Sequence, residues 1–441
     1  MLRINLQSPV FRITMTQPTI IHRADHGISR EQIDDRALKV LYRLHNAGFQ
    51  AFLVGGGVRD LLLGLEPKDF DVATDAKPEE VRRLFRNCRL IGRRFRLAHI
   101  HFGREIIEVA TFRGDHSAKS QEGALDDSGR IIRDNVYGTL EQDVWRRDFK
   151  VNALYYNIAD FSVVDYTGAM ADVSDRTLRM IGEPEKRYRE DPVRMLRAVR
   201  FAAKLDFSIY KDTETPIFEL APILSEIPSA RLFDEAVKLF HSGNAVKCFE
   251  LLRHYGLLQI LFPQTQNALN KDAEYEVFLI KVLQNTDRRI MEGKPVNPAF
   301  VFAALLWYPI IDQAKWFLND GLPVNLAMQK SIDKVLPEQL RITSIPKRLS
   351  MVMKDIWFLQ DRLRNHTGKR AFSVFSHQRF RAAYDFLCLR SAAGENVAKD
   401  CEFWTHLQTL EDDEQNKLMK PKKRPQGKRT QHRPKKNKND G

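Results

Sequence analysis

The sequence predicts an α+β fold: a head with a mixed sheet and helices, then an elongated all-helical neck and body, then a disordered basic tail. Three observations carry this. Strand-like segments dominate from Ala51 to about Thr167. Beyond Asp172 the pattern turns helical almost to the end, and prolines such as Pro222, Pro263, Pro298 and Pro346 cut it into helices of ordinary length. From Lys417 to Gly441 there are eleven Lys or Arg against one acid, Asp440, so ten of the chain's net +13 charges lie there.

The chain's 441 residues suffice for roughly two to four domains. The expected division is an N-terminal extension over 1–27, a head over 28–172, a neck over 173–262, a body over 263–412 and the tail over 413–441. Met15 is an alternative start to Met1. The first residues contain arginines but no continuous apolar core of signal-peptide type. No apolar run reaches membrane-span length. Cys88, Cys248, Cys388 and Cys401 are scattered without metal-ligand spacing, which fits small core residues in a reducing compartment. After Met419 there is no aromatic or large apolar residue, so the tail is expected to stay disordered and to bind a polyanion.

Within the head, Arg30 to Gln50 reads as an amphipathic helix with Gly48 as C-cap. Ala51 to Val54 is a short buried strand ending in glycines. Pro78 to Asn87 is a helix. Leu97 to Phe102, Ile106 to Phe112 and Val151 to Ile158 are strands. Gly114 to Arg133 is polar, glycine-containing and aperiodic, hence a mobile loop.

The chemistry concentrates in Phe52 to Gly64 and Lys68 to Val72. Gly55, Gly56 and Gly57 let backbone approach a bulky anion, and Arg59 follows them. Asp69 and Asp71 stand at strand spacing, which points both carboxylates to one face. Paired carboxylates repel each other and favour a shared divalent cation. These parts describe a site for a metal-bound triphosphate. The arrangement resembles the nucleotidyltransferase superfamily that includes DNA polymerase beta, so the head is expected to be polymerase-beta-like. The resemblance implies two Mg²⁺ ions held by Asp69 and Asp71.

Two residues compete as a third active-site carboxylate. Glu108 sits between apolar neighbours on a strand. Asp148 belongs to Arg146-Arg147-Asp148-Phe149-Lys150-Val151-Asn152, which offers cations for phosphates and polar groups for a ribose. That run resembles the Arg-Arg-Asp-Phe-x-x-Asn motif of class II tRNA nucleotidyltransferases and bacterial poly(A) polymerases, which places Asp148 ahead of Glu108.

Asp191-Pro192 is a helix start, an N-cap acid followed by proline. Arg194 and Arg197 share one face of that helix. The stretch resembles the Glu-Asp-x-x-Arg-x-x-Arg motif of the same family. By resemblance, Asp191 and Arg194 read the Watson–Crick edge of the incoming base and Arg197 supports them. A carboxylate accepts from the exocyclic amine of adenine or cytosine, while guanine and uracil would leave buried groups unpaired.

Leu90 to Ile100, with three arginines around Phe95, is similar to the signature that separates the bacterial poly(A) polymerases from the CCA-adding enzymes. By resemblance, Asn297 to Pro309, the run Arg379 to Leu387 and the basic tail point the same way. The resemblance covers roughly residues 28 to 410. It implies template-independent addition of AMP from ATP to RNA 3′ ends by a cytoplasmic monomer with an RNA-binding body, in the company of RNA-decay proteins. The alternative within the family is CCA addition to tRNA. A non-catalytic RNA-binding protein is the rival from another class, and the Asp69/Asp71 pair argues against it.

Overall fold

The computed structural model describes residues 17–92, 95–114, 123–125, 131–134 and 136–420. The chain forms two compact units. The first comprises Met1–Gln266, Thr286–Lys294 and Gln339–Ser344; the second comprises Asn267–Asn285, Pro295–Glu338 and Ile345–Gly441.

The head of the first unit is built on strands β1 (Thr19–Ile21), β2 (Ala51–Val54), β3 (Asp71–Thr74), β4 (Cys88–Ile91), β5 (Leu97–Phe102) and β6 (Glu105–Thr111). Four more follow: β7 (Gly123–Leu125), β8 (Ile131–Asp134), β9 (Leu154–Asn157) and β10 (Val163–Asp165). Eight of them form one mixed sheet in the order β1-β10-β9-β2-β3-β6-β5-β4. Within this sheet β3 and β6 pair in parallel, in the register Val72↔Val109, and the other pairs are antiparallel. β2 is central and buried along its whole length, as four apolar residues without alternation predict. Phe52 and Val54 pack with Phe112, Tyr155 and Val144 on one side.

Helix α1 (Asp35–Asn46) buries Val40, Leu41 and Leu44, and Gly48 follows it at φ +88°. The helix expected from Arg30 begins later. Ser29 caps a separate 3₁₀ turn at Arg30–Gln32, and Asp34 then accepts from the Arg36 N–H to start α1 afresh. Helices α2 (Gly56–Leu62), α3 (Pro78–Leu84) and α4 (Leu140–Arg146) complete the head. α3 stops short of Asn87 because the chain becomes extended at Phe85 and enters β4 at Cys88. The strand expected from Val151 starts at Leu154, since Lys150–Asn152 form a 3₁₀ turn. The segment read as a loop over Gly114 to Arg133 contains the antiparallel pair β7 and β8, in which Ala124 faces Arg133. The rest of that segment, Arg93 and Arg94 of the basic signature, and the chain before residue 17 lie outside the described residues. β1, inside the expected extension, adds an edge strand to the sheet beside β10.

The remainder of the first unit is helical. The Val193–Leu205 helix buries Met195, Leu196 and Val199 and packs on the Ser229–Phe240 and Ala245–His254 helices. The second unit is helical throughout its described residues. Trp307, Trp357 and Trp404 are among its fully buried side chains. Trp357 Nε1 donates to the Ala303 carbonyl at 3.0 Å and Trp404 Nε1 to the Leu363 carbonyl at 2.7 Å. No helix among the described residues is long and apolar enough to cross a membrane.

Two sequence expectations are corrected here. Cys88 and Cys248 are buried free thiols, as expected, but Cys388 and Cys401 are joined in a disulfide, with Cα atoms 5.3 Å apart. They sit on consecutive helices, Phe380–Ala392 and Ala398–Leu407, whose packing brings them together. The first residues of the tail expected from 413 are helical, as part of the Asp412–Met419 helix. Met419 is 1 % exposed and packs with Ala371 and Val374, an anchor that one apolar residue at the edge of a charged segment does not reveal. The sequence from 421 onward lies outside the described residues.

Trp404→Ala would leave a cavity and an unpaired Leu363 carbonyl. It should destabilise the second unit by about 3–5 kcal/mol, read as a lower urea midpoint of the near-ultraviolet circular dichroism signal.

Candidate active site

The central strand β2 ends at Val54, and Gly55 turns the chain into α2 with φ +77°, a conformation that side chains other than hydrogen rarely accept. A Cβ at Gly55 would lie 3.6 Å from Arg147 Nη1 and 4.0 Å from Asp71 Oδ2. A Cβ at Gly57 would lie 3.3 Å from the Asp69 carbonyl. The glycine turn therefore rests directly on the Asp69–Asp71 segment.

Strand register explains the neighbours. Val54 faces Asp71 across the β2–β3 pair. The parallel β3–β6 register places Glu108 level with Asp71 on the other side. Asp71 is an exposed residue, yet the protein around it desolvates the carboxyl, and the Glu108 and Asp69 charges add to that effect. Arg147 opposes it, and the result is a carboxyl pushed up to about 6. Glu108 Oε1 lies 3.2 Å from His99 Nε2 on β5.

Asp69 and Asp71 line an open pocket of about 310 Å³ together with Gly55, Gly56, Arg59, Arg147, Asp148, Asn152 and Arg197. Nine of the predicted site residues thus converge. Glu108 lies behind Asp71 rather than in the lining, and Asp191 and Arg194 are also outside it. The pocket further contains Asp60, Lys68, Arg200, Phe201 and Lys204, to which the sequence reading gave no role. The spacing could have flagged two of them, because Arg200 and Lys204 continue the helix face of Arg197 at i+3 and i+7.

Several predicted ligands are already engaged within the protein. Arg59 is 2 % exposed and donates to Asp60 Oδ1 at 2.6 Å and to Asn152 Oδ1 at 2.5 Å. Lys204 Nζ lies 3.6 Å from the other Asp60 oxygen. Asp148 accepts from Arg197 at 2.6 Å. Burial alone would raise the Asp148 carboxyl, but the Arg197 charge and hydrogen bond outweigh it and hold the group at about 2. Arg147 is clamped by Asp143 at 3.2 Å and by the Tyr155 hydroxyl at 2.7 Å. Arg200 Nε, in contrast, is buried without a hydrogen-bond partner. Burial and the neighbouring Arg197 both lower its affinity for its proton.

Asp191 departs from its expected role as N-cap. It ends the Pro184–Glu190 helix, and no side chain caps the Val193–Leu205 helix. The Asp191 carboxylate turns instead to the Ser229–Phe240 helix, where Oδ2 accepts from Arg231 at 2.8 Å. Its Oδ1 is buried and unpartnered. Arg194 Nη1 donates to the Arg187 carbonyl at 2.7 Å and to Glu190 Oε2 at 3.2 Å. Arg187 Nη2 in turn donates to the Arg147 carbonyl at 2.5 Å, which ties this segment to the Arg-Arg-Asp run.

The donor set suits a divalent cation shared with a phosphate. Crowded carboxylates at the pocket face a wall of cations, and hard cations of Mg²⁺ type take one or two carboxylates and complete their shell with phosphate oxygens and water. Among the described residues no group of three or more His, Cys, Asp or Glu is placed to hold a metal ion.

Comparison with known proteins points the same way. The chain matches the family models described as poly A polymerase head domain over residues 51–179, probable RNA and SrmB-binding site of polymerase A over 206–269, and polymerase A arginine-rich C-terminus over 320–439. It is 50% identical over 409 residues to the poly(A) polymerase I of Salmonella typhimurium, which covers 91% of this chain and 88% of that one. A CCA-adding enzyme of Lactobacillus gasseri is 32% identical over 266 residues, 58% of this chain and 65% of that one. In structure the chain is similar to the Bacillus stearothermophilus CCA-adding enzyme in complex with CTP, with TM-score 0.59 and 26% identity, covering 85% of this chain and 82% of that one.

The Asp143 carboxyl is the electrostatic anchor of Arg147. Burial would raise it, but the Arg147 and Arg113 charges and the Tyr155 hydrogen bond hold it at about 2. A depressed carboxylate contributes stability that is complete above its unfolded value and lost as pH falls toward the folded one. The head should therefore lose stability between about pH 4 and pH 2. Asp143→Asn should destabilise it by about 3 kcal/mol at pH 7 and flatten that acid limb, both read from urea unfolding at a series of pH values.

Proposed function

This chain belongs to the poly(A) polymerase I family, and from that premise we propose how its head adds adenylate to RNA. The protein is a polynucleotide adenylyltransferase. It transfers AMP from ATP to an RNA 3′ end without a template and releases pyrophosphate. The observation that carries the assignment to this pocket is the Gly55 turn lying against Asp71, with Glu108 beside that carboxylate and Arg197, Arg200 and Lys204 lining the same cavity. The CCA-adding relative is less identical and matches a smaller share of the chain.

In the reaction the RNA 3′-oxygen forms a bond to the α-phosphorus, and the bond from that phosphorus to the pyrophosphate oxygen breaks. Gly55 and Gly56 leave room for the triphosphate to approach the backbone. Arg147, held rigid by Asp143 and Tyr155, offers positive charge beside Asp71. Lys68, Arg200 and Lys204 receive the departing pyrophosphate, a role supported by the unpartnered Arg200 Nε. Asp69 and Asp71 would hold two Mg²⁺, with Glu108 reinforcing the negative field. When bound, such ions stabilise charge on the attacking and leaving oxygens. Asp148 and Asn152 would contact the ribose, and Arg59 holds Asn152 in place by donating to its Oδ1.

Base selection is assigned to Asp191 and Arg194, supported by Arg197. The buried, unpartnered Asp191 Oδ1 is an acceptor waiting for a donor, and the exocyclic amine of adenine supplies one. Fixed charges in a confined site act without reorganisation during the reaction, so positioning and electrostatics account for most of the rate. We place the reaction in the cytoplasm, in a monomer that works alongside RNA-decay proteins.

With Mg²⁺, an RNA bearing a free 3′-hydroxyl should be extended at length with ATP alone. Single or double CTP incorporation on tRNA lacking its CCA end would favour the alternative. Asp71→Ala should abolish extension while RNA retention on a filter stays near wild type; an active variant would refute the carboxylate assignment. Arg200→Ala and Lys204→Ala should each weaken product inhibition by pyrophosphate by roughly tenfold, the scale of one charge-assisted contact. An unchanged inhibition constant would remove them from the phosphate wall.

A further inference from the structure

The helix that bears Arg197, Arg200 and Lys204 is backed by a carboxylate that the reaction chemistry does not use. Glu235 lies on the Ser229–Phe240 helix and is 5 % exposed. Its Oε1 accepts from Lys238 Nζ at 2.7 Å, about one turn further along the same helix. Its Oε2 is buried and has no hydrogen-bond partner. A bare buried carboxylate oxygen costs stability, so it calls for a partner.

Helix packing indicates which partner. Arg231 and Glu235 share one face of their helix, one turn apart. Arg231 donates to Asp191 at 2.8 Å, beside the start of the Val193–Leu205 helix. That contact turns the shared face toward the Val193–Leu205 helix, against which the Ser229–Phe240 helix packs. Two arginines on it feel the Glu235 charge, Arg197 and Arg200. Arg197 is engaged already, because it pairs with Asp148 at 2.6 Å. Asp148 also acts on Arg200 through space, but its hydrogen bond goes to Arg197. Arg200 has no such partner. Its Nε is buried without a hydrogen bond, and no ion pair engages it among the described residues. Its guanidinium lies over the Phe201 ring at 4.6 Å, and both residues line the pocket.

We infer that Glu235 is a positioning residue that draws Arg200 back from the pocket and so competes with pyrophosphate for it. The inference rests on the reading of Arg200 as part of the phosphate wall. An unpartnered cation and an unpartnered carboxylate oxygen on facing helices give the Arg200 side chain two destinations. Toward the pocket it meets phosphate oxygens. Toward Glu235 it closes a charge-assisted contact with the open Oε2. A ligand that needs Arg200 in the first position binds more weakly by the fraction of time the side chain spends in the second. Pyrophosphate has neither base nor ribose to anchor it, so withdrawal of one cation helps it leave. Lys238 tunes the balance, since it occupies the other Glu235 oxygen and offsets part of its charge.

The test measures inhibition of extension by inorganic pyrophosphate, using the full chain with Mg²⁺, ATP and an oligoadenylate bearing a free 3′-hydroxyl. Glu235→Gln keeps the shape and an acceptor for Lys238 but removes the charge that competes for Arg200. Its inhibition constant should fall about fivefold, the scale of one charged contact. Lys238→Met frees the second Glu235 oxygen and should raise the constant about twofold, the scale of a half-exposed charge pair. In the R200A/E235Q double variant the constant should equal that of Arg200→Ala alone. A purely structural Glu235 predicts the opposite sign, because a loosened helix would weaken pyrophosphate binding. A constant that rises or stays unchanged in Glu235→Gln overturns the inference, as does a shift that persists without Arg200. If Glu235→Gln unfolds at a lower urea midpoint than wild type, Lys238→Met decides alone. A higher constant then supports the inference, and an equal or lower one overturns it. Wild-type inhibition in Arg200→Ala would instead remove the reading on which the inference rests.

Discussion

The partly buried ion pair between Asp148 and Arg197, at 2.6 Å, fastens the Arg-Arg-Asp run of the head to the Val193–Leu205 helix. Removing either partner would leave the other charge partly buried and uncompensated, at a cost in stability. Arg200 and Lys204 are carried to the cavity by the same helix face. Arg187 reinforces the joint by donating to the carbonyls of Arg146 and Arg147. The carboxylates of the sheet and the cations of the helix thus meet across one rigid connection.

That connection brings two kinds of like-charge crowding to face each other. Burial, with the charges of Glu108 and Asp69, pushes the Asp71 carboxyl upward against the pull of Arg147. Burial, with the charge of Arg197, lowers the affinity of Arg200 for its proton. Each side is poorly satisfied by the protein alone, and a cation-bound triphosphate would satisfy both. Elsewhere in the head the charges are matched. Arg147 has Asp143 and Tyr155, and Arg59 has Asp60 and Asn152. The contrast between matched and unmatched charges separates groups that hold the pocket in shape from groups left for substrate.

Much of this was legible from local pattern. The strand Ala51 to Val54, the glycine turn and the Asp-x-Asp pair follow from residue type and spacing, and β5 ends where alternation and the following glycine predict. Element ends were less legible. Ser29 and Asp34 each supply a cap, and only the chain's path decides that both are used. Asp191 followed by proline has every local mark of an N-cap, yet its carboxylate turns to Arg231, which lies 40 residues away in sequence. Met419 stands at the edge of a charged segment and is buried by partners far back in the chain. The cysteines at 388 and 401 show no metal spacing and meet only because their helices pack.

By itself the sequence supplied the candidates for binding phosphate, metal and base, and placed them at strand ends and on one helix. Those properties belong to residue type and short-range periodicity, which act before any tertiary contact forms. Only the tertiary structure decided how the groups divide their work. The parallel β3–β6 register sets Glu108 beside Asp71, while Arg197 neutralises Asp148. Long-range strand pairing and buried charge pairing depend on where distant segments come to rest, and no local window of residues contains that information.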